Sequence, residues 1–188
     1  YIPKDMPMVV VGGSFGDGEY QVINAERDGG RWMTMHLLDL GHRTVFHVGR
    51  PEGPTDNTRT TGWRDALKER GVTAPDPIIV PDDDLEESVK AGRTLGRRGD
   101  VTAIFAGNDE TAIAVIRGLR EVGRRVPADV SVVGFDDRNF GAMWNPALTS
   151  YTQNFLDMGE RSFRMLFEQI QAKRAGDDAP PSQVEVVQ

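Results

Sequence analysis

Short apolar runs alternate with longer amphipathic segments along most of this chain, and that alternation limits the available folds more than any other feature. "RTVFHVG" (43–49), "PIIVP" (77–81), "DVTAIFAG" (100–107), "DVSVVGF" (129–135) and "ALTSYTQ" (147–153) read as strands. Between them, "RDGGRWMTMHLLDLGH" (27–42), "TRTTGWRDALKERG" (58–71), "LEESVKAGRTLGRR" (85–98) and "NDETAIAVIRGLREVG" (108–123) carry apolar residues at helical spacing. Gly41 and Gly71 supply the left-handed stop that favours a helix end. Strict alternation argues for a parallel α/β sheet covered by helices on both faces. Runs as apolar as "PIIV" agree, because parallel strands are buried on both sides.

The ends are less regular. "PMVVVGG" (7–13) reads as a short strand, "GSFGDGEYQ" (13–21) as a glycine-rich loop, "FLDMGERSFRMLFEQIQAKRAG" (155–176) as a long amphipathic helix and "VEVV" (184–187) as a last strand. Met158, Phe163, Leu166 and Phe167 make up the apolar side of that helix. At about 1.5–3 kcal/mol each they are not expected to stay in water, so they should pack on residues outside this sequence, on a neighbouring chain, or in a rearranged position, and not within the chain's own lobe. Ile113, Val115 and Ile116 spread around much of the 108–123 segment, which is more apolar surface than one sheet face requires and points to a homodimer contact.

With 188 residues the chain can bury a full core. It is 38% hydrophobic and 27% charged, and no apolar run approaches the roughly 20 residues that span a bilayer. No membrane partner is expected, and there is no secretory signal pattern. The chain starts at Tyr1, not Met, so it reads as a fragment. It has no cysteine, which removes thiolate chemistry and cysteine zinc sites. A net charge of −7 argues against a direct grip on nucleic-acid phosphates.

Ligands of open α/β sheets sit beyond the carboxyl ends of the strands. The residues there are Arg59 after the loop that follows "TVFHVG", Asn108, Asp109 and Glu110 after "VTAIFAG", Asp136 and Asp137 after "VSVVGF", and Gln153, Asn154 and Phe155 after "LTSYT". A guanidinium, an amide and a carboxylate together satisfy the paired donor and acceptor needs of a neutral polyhydroxy ligand. Each also has a plainer use. Asn108 fits a helix N-cap, with Asp109 and Glu110 as ordinary first-turn acids, Asp136 a turn cap and Arg59 a surface cation. Alternation along an extended strand predicts that Asp136 faces the ligand while Asp137 serves the turn. His36, His42 and His47 are not at metal-ligand spacing with acids, so no metal is expected, and no cofactor motif occurs. No nucleophile elbow is present and adjacent aspartates make a poor acid–base pair, so no catalytic residue is assigned.

"HLLDLGHRTVFHVG", "RTTGWRDALKERG", "VTAIFAGNDETAIAVIRGLREVGRRVPADVSVVGFDD" and "NPALTSYTQNFLDMGERSFRMLF" resemble the effector-binding core of lactose-repressor (LacI/GalR-type) transcription regulators. The resemblance implies a periplasmic-binding-protein-like fold, with one complete lobe and remnants of a second. Residues 1–24 would be a strand and loop of the N-terminal, near-DNA lobe. Residues 25–152 would form the C-terminal lobe, 153–177 a hinge crossing and near-lobe helix, and 178–188 a strand returning to the C-terminal lobe. Effector contacts would be Arg59, Asn108, Asp136, Gln153 and Phe155. The implied partners are a small-molecule effector of the sugar class, operator DNA through a helix-turn-helix that precedes such segments, and a second copy. The implied location is cytoplasmic, and the alternative is a periplasmic sugar-binding protein of a transporter. Gly12, Ala25–Glu26 and Asp84 depart from the family pattern, which places an acid, Asp-Asn and a stacking aromatic there.

Overall fold

The computed structural model describes residues 6–12, 20–51, 56–81, 84–138, 140–178 and 180–188. The expected loop over 13–21 therefore lies mostly outside the described residues. Two compact units are present: Glu26–Thr152, and Tyr1–Ala25 together with Gln153–Gln188.

The larger unit contains β3 (Phe46–Gly49), β4 (Ile78–Ile79), β5 (Ala103–Ala106), β6 (Ser131–Asp136) and β7 (Thr149–Thr152), paired in parallel in the order β4-β3-β5-β6-β7. Its helices are α1 (Glu26–Asp39), α2 (Arg59–Glu69), α3 (Leu85–Gly96) and α4 (Asp109–Glu121). Side chains alternate across the sheet. Val48, Ile104 and Val132 meet Leu95, Val115, Ile116 and Leu119 of α3 and α4. Phe105, Val133 and Phe135 meet Met33, Leu37, Trp63 and Leu67 of α1 and α2.

Both helix pairs pack in unusually close contact because glycines sit at the crossings. A Cβ on Gly62 would lie 1.9 Å from the Arg27 carbonyl oxygen, and one on Gly118 would lie 2.1 Å from that of Val89. No side chain fits there. Val115 and Ile116 are fully buried in this unit's own core, 0% and 1% exposed. These two are thus taken up by the larger unit's core, while Ile113 stays half-buried.

In the smaller unit, β1 (Val10–Val11), β2 (Gln21–Asn24) and β8 (Val184–Val187) form a parallel sheet in that order, with α5 (Phe155–Ala175) against it. One expectation is corrected: residues 178–188 do not return to the larger unit. Gln21–Asn24 adds a strand that the sequence reading had not marked. β8 pairs with β2 along its whole length, Gln21 opposite Val184 through Asn24 opposite Val187. Hydrogen bonding to a strand from the chain's first segment fixes which unit owns it.

The apolar side of α5 also differs from the expectation. Met158, Met165 and Gln169 face inward with Val22 and Val187. Gln169 donates from Nε2 to the Met8 carbonyl at 3.1 Å and accepts the Met8 N–H at 3.0 Å, as a strand neighbour would. Phe163 lies five residues, about 140° of turn, from Met158. It is 68% exposed, stacked with half-exposed Phe167 at 6.0 Å between ring centroids. Among the described residues no helix is long and apolar enough to cross a membrane.

Candidate functional site

β6 ends with Asp136 buried, 6% exposed, and with two successive residues in the left-handed region, Asp136 at φ 103° and Asp137 at φ 50°. Left-handed backbone at a residue other than glycine costs on the order of 1–3 kcal/mol and persists only where the surroundings impose it. The chain here is not extended, so strand alternation is not what separates the two acids. They diverge all the same. Asp137 serves the turn: its N–H donates to Ser150 Oγ at 3.1 Å, and its Oδ2 accepts from Thr152 Oγ1 at 2.7 Å. Asp136 lines a cavity of about 530 Å³, within the size range of small-molecule sites.

Asn108 lines the same cavity while also capping α4, its Oδ1 accepting the Thr111 N–H at 2.8 Å. The cap uses the amide oxygen, so the plain and the functional readings of Asn108 are compatible. The walls come from the residues after β3, β4 and β6 and from the first turns of α3 and α4, and they include Arg50, Asp84, Glu110 and Arg138. Sequence reading places Glu110 at a strand exit and Asp84 at the family's stacking position, but it misses Arg50 and Arg138, because a polar residue in a loop carries no periodic signal. Asp84, at the position where the family places a stacking aromatic, caps α3 by accepting the Glu87 N–H at 3.0 Å. Three carboxylates and two guanidinia line the cavity, with no aromatic among the described lining residues. Hydrogen-bonding groups of both kinds, nearly balanced in charge, suit hydroxyls better than an anion.

Arg59 is held beside this cavity and is not among its lining residues. Its Nη2 lies 2.9 Å from Glu26 Oε1 and 3.2 Å from Asp136 Oδ1, and its Nη1 donates to the Gly107 carbonyl. The guanidinium carbon stands 4.0 Å from the centre of the Phe135 ring. Glu26, one of the departures from the family pattern, is thus a partner of Arg59. Gln153 and Phe155 belong to the smaller unit. Gln153 is buried and accepts a hydrogen bond from Asn24 Nδ2, while Phe155 opens α5 about half exposed.

The remaining titratable groups are structural. His47 is 1% exposed, with Nδ1 2.9 Å from the Phe105 carbonyl and Nε2 2.9 Å from Thr60 Oγ1. Among the described residues no group of three His, Asp or Glu side chains is arranged to hold a metal ion.

The profile of the periplasmic binding protein-like domain matches residues 34–188. This chain belongs to that family. Its relatives within it are LacI-type regulators. It is 34% identical over 176 residues to the HTH-type transcriptional repressor PurR of Erwinia tasmaniensis, covering 91% of this chain and 52% of that one. It is 34% identical over 171 residues to the HTH-type transcriptional regulator CelR of Thermobifida fusca, covering 88% and 50%. The solved structure of a CelR–cellobiose complex superposes with a TM-score of 0.83 at 31% identity, covering 95% of this chain and 55% of that one. The chain spans about half the length of the curated relatives it matches.

Proposed function

We propose that this chain is the effector-sensing part of a LacI-type transcriptional regulator and that it takes a neutral sugar in the cavity at the end of β6. The observation that carries this reading is Asp136. It is a buried carboxylate, held at positive φ on the wall of a ligand-sized cavity and charge-balanced by Arg59. Asp136 would accept two sugar hydroxyls, Asn108 would donate from its amide nitrogen, and Arg59 would fix the acid's orientation. Gln153 and Phe155 enter as further effector contacts on the family resemblance alone. Effector binding would bias a conformational equilibrium that sets DNA affinity, with no turnover. Operator DNA would be read by a helix-turn-helix outside these 188 residues, the protein acting as a cytoplasmic homodimer.

The regulators named above favour this reading over the transporter-linked alternative. Calorimetric titration with neutral mono- and disaccharides, cellobiose among them, tests it. One sugar binding at micromolar to millimolar affinity, with no product formed, is the expected result. Binding of none, or turnover of any, would overturn the reading.

A further inference from the structure

Asp109 is the first residue of α4 and is fully buried, 0% exposed. Such a position ordinarily offers its carboxylate to solvent or to the helix's own N-terminus. Here it turns away from the cavity, toward the strand exit. Oδ2 accepts the Arg138 N–H at 3.0 Å, and Oδ1 accepts from Ser150 Oγ at 2.5 Å. Ser150 in turn accepts the Asp137 N–H. The two amides immediately after Asp136 are therefore both tied to one buried carboxylate, one directly and one through a hydroxyl. Burial, only partly offset by those two hydrogen bonds, holds the Asp109 carboxyl above its ordinary range.

β6 accommodates this carboxylate through Gly134. A Cβ at that position would stand 2.4 Å from Asp109 Oδ1. Asp109 reaches the β6 exit only because the strand carries no side chain there. Removing the carboxylate and adding the Cβ should thus disturb the same contact from opposite sides.

We infer that Asp109 is the positioning residue of the ligand site: through Ser150 and the Arg138 amide it imposes the left-handed turn that aims Asp136 and Arg138 at the cavity. The inference deepens the sugar-sensing reading and rests on it for its purpose, but the turn-holding role can be measured without any ligand. Three variants of the whole chain test it: Asp109→Ala, Gly134→Ala and both together. Asp109→Asn, which keeps the volume and one acceptor, stands in should the alanine variant fail to fold.

Residue-resolved amide exchange is the first readout. Asp109→Ala should speed exchange at Asp137 and Arg138 by about tenfold or more while Ile104 and Phe105 in β5 keep their protection. Asp109→Asn should recover part of it. Gly134→Ala should give the same local signature, and the two effects should be less than additive in the double variant, because removing the carboxylate relieves the 2.4 Å contact and leaves only the tighter approach to Leu148 at 3.0 Å. Unchanged exchange at Asp137 and Arg138 overturns the inference, as does equal loosening throughout the larger unit. The second readout is affinity for whichever sugar the native chain binds. An affinity kept within about twofold while the turn loosens would also overturn it, because Asp109 would then hold the turn without serving the site. A native chain that binds no sugar yet shows the exchange pattern overturns only the sugar-sensing reading.

Discussion

Arg59 Nη2 and Asp136 Oδ1 lie 3.2 Å apart, and both side chains are nearly buried, 11% and 7% exposed. The pair is completed by the Phe135 ring beneath the guanidinium and by Glu26 beside it. Losing Arg59 takes away a counter-ion 3.2 Å from a largely buried carboxylate. Arg59→Met should therefore destabilise the larger unit by about 3 kcal/mol. Arg59→Lys keeps the charge but loses the planar fork and the stacking, so it should recover only part of that. Urea unfolding of the two variants checks the order. A methionine variant as stable as the native chain would show the pair to be dispensable.

Asp136→Asn keeps the shape and removes the charge and one acceptor. If the acid accepts two sugar hydroxyls, the loss of charge-assisted bonds, at roughly 1.5–3 kcal/mol each, should weaken sugar binding about tenfold or more. Asp137→Asn should weaken it far less, since Asp137 is bound to Thr152 and Ser150. Calorimetry on both variants with the sugar found for the native chain decides this. Equal losses, or none at position 136, would return Asp136 to a purely structural part.

β3, β5 and β6 were legible because parallel strands buried on both faces write continuous apolar runs, whereas β4 and β7 are partly exposed edge strands marked mainly by their place in the alternation. Helix stops at Gly41 and Gly71 are visible as glycines, here with positive φ. β2 was not legible. "QVIN" has two apolar residues between two amides, and it becomes a strand only because β1, β8 and α5 enclose it. The allegiance of β8 was hidden for the same reason, since a pairing partner some 160 residues away leaves no local trace. Asp136 stood out as charge at the end of an apolar run. Arg50 and Arg138 did not, because their convergence depends on strand order. Asp109 was read as ordinary first-turn chemistry, and only its burial against Gly134 shows otherwise.

The glycine crossings give opposite expectations for the same substitution. Gly118→Ala drives a methyl into the Val89 carbonyl oxygen and should cost about 2 kcal/mol or more. Gly159→Ala, in α5, meets nothing within 4 Å and should gain up to about 1 kcal/mol of helix stability. Thermal unfolding of the first and amide exchange within α5 for the second read these effects. A neutral Gly118→Ala would mean that the α3–α4 crossing is looser than described.

Side chains on the two stripes of α5 should respond differently. Met165, 1% exposed against β2 and β8, should cost about 2–5 kcal/mol as Met165→Ala. Phe163→Ser and Phe167→Ser touch a solvent-facing stack and should change stability by no more than about 0.5 kcal/mol. The same amide-exchange measurement on the isolated chain distinguishes them. Large losses at Phe163 would mean that the aromatic pair is covered in solution.

His42 sets a pH dependence whose sign follows from burial. Its ring nitrogens lie 3.0 Å from Thr102 Oγ1 and 3.1 Å from Ser131 Oγ, and burial lowers its pKa from the ordinary 6.5. A base whose pKa falls on folding binds its proton more readily in the unfolded chain. Between the ordinary and the lowered value the unfolded state therefore holds more protons, and stability rises with pH across that interval. The contribution of His42 is fully present above pH of about 6.5 and is lost as pH falls through the lowered value. Urea midpoints measured from pH 7.5 down to pH 5 should fall for the native chain and fall less for His42→Gln, which keeps a donor and an acceptor but cannot protonate. Identical slopes for the two proteins would assign the pH dependence to other groups and mean that His42 takes up its proton alike in the folded and unfolded chain.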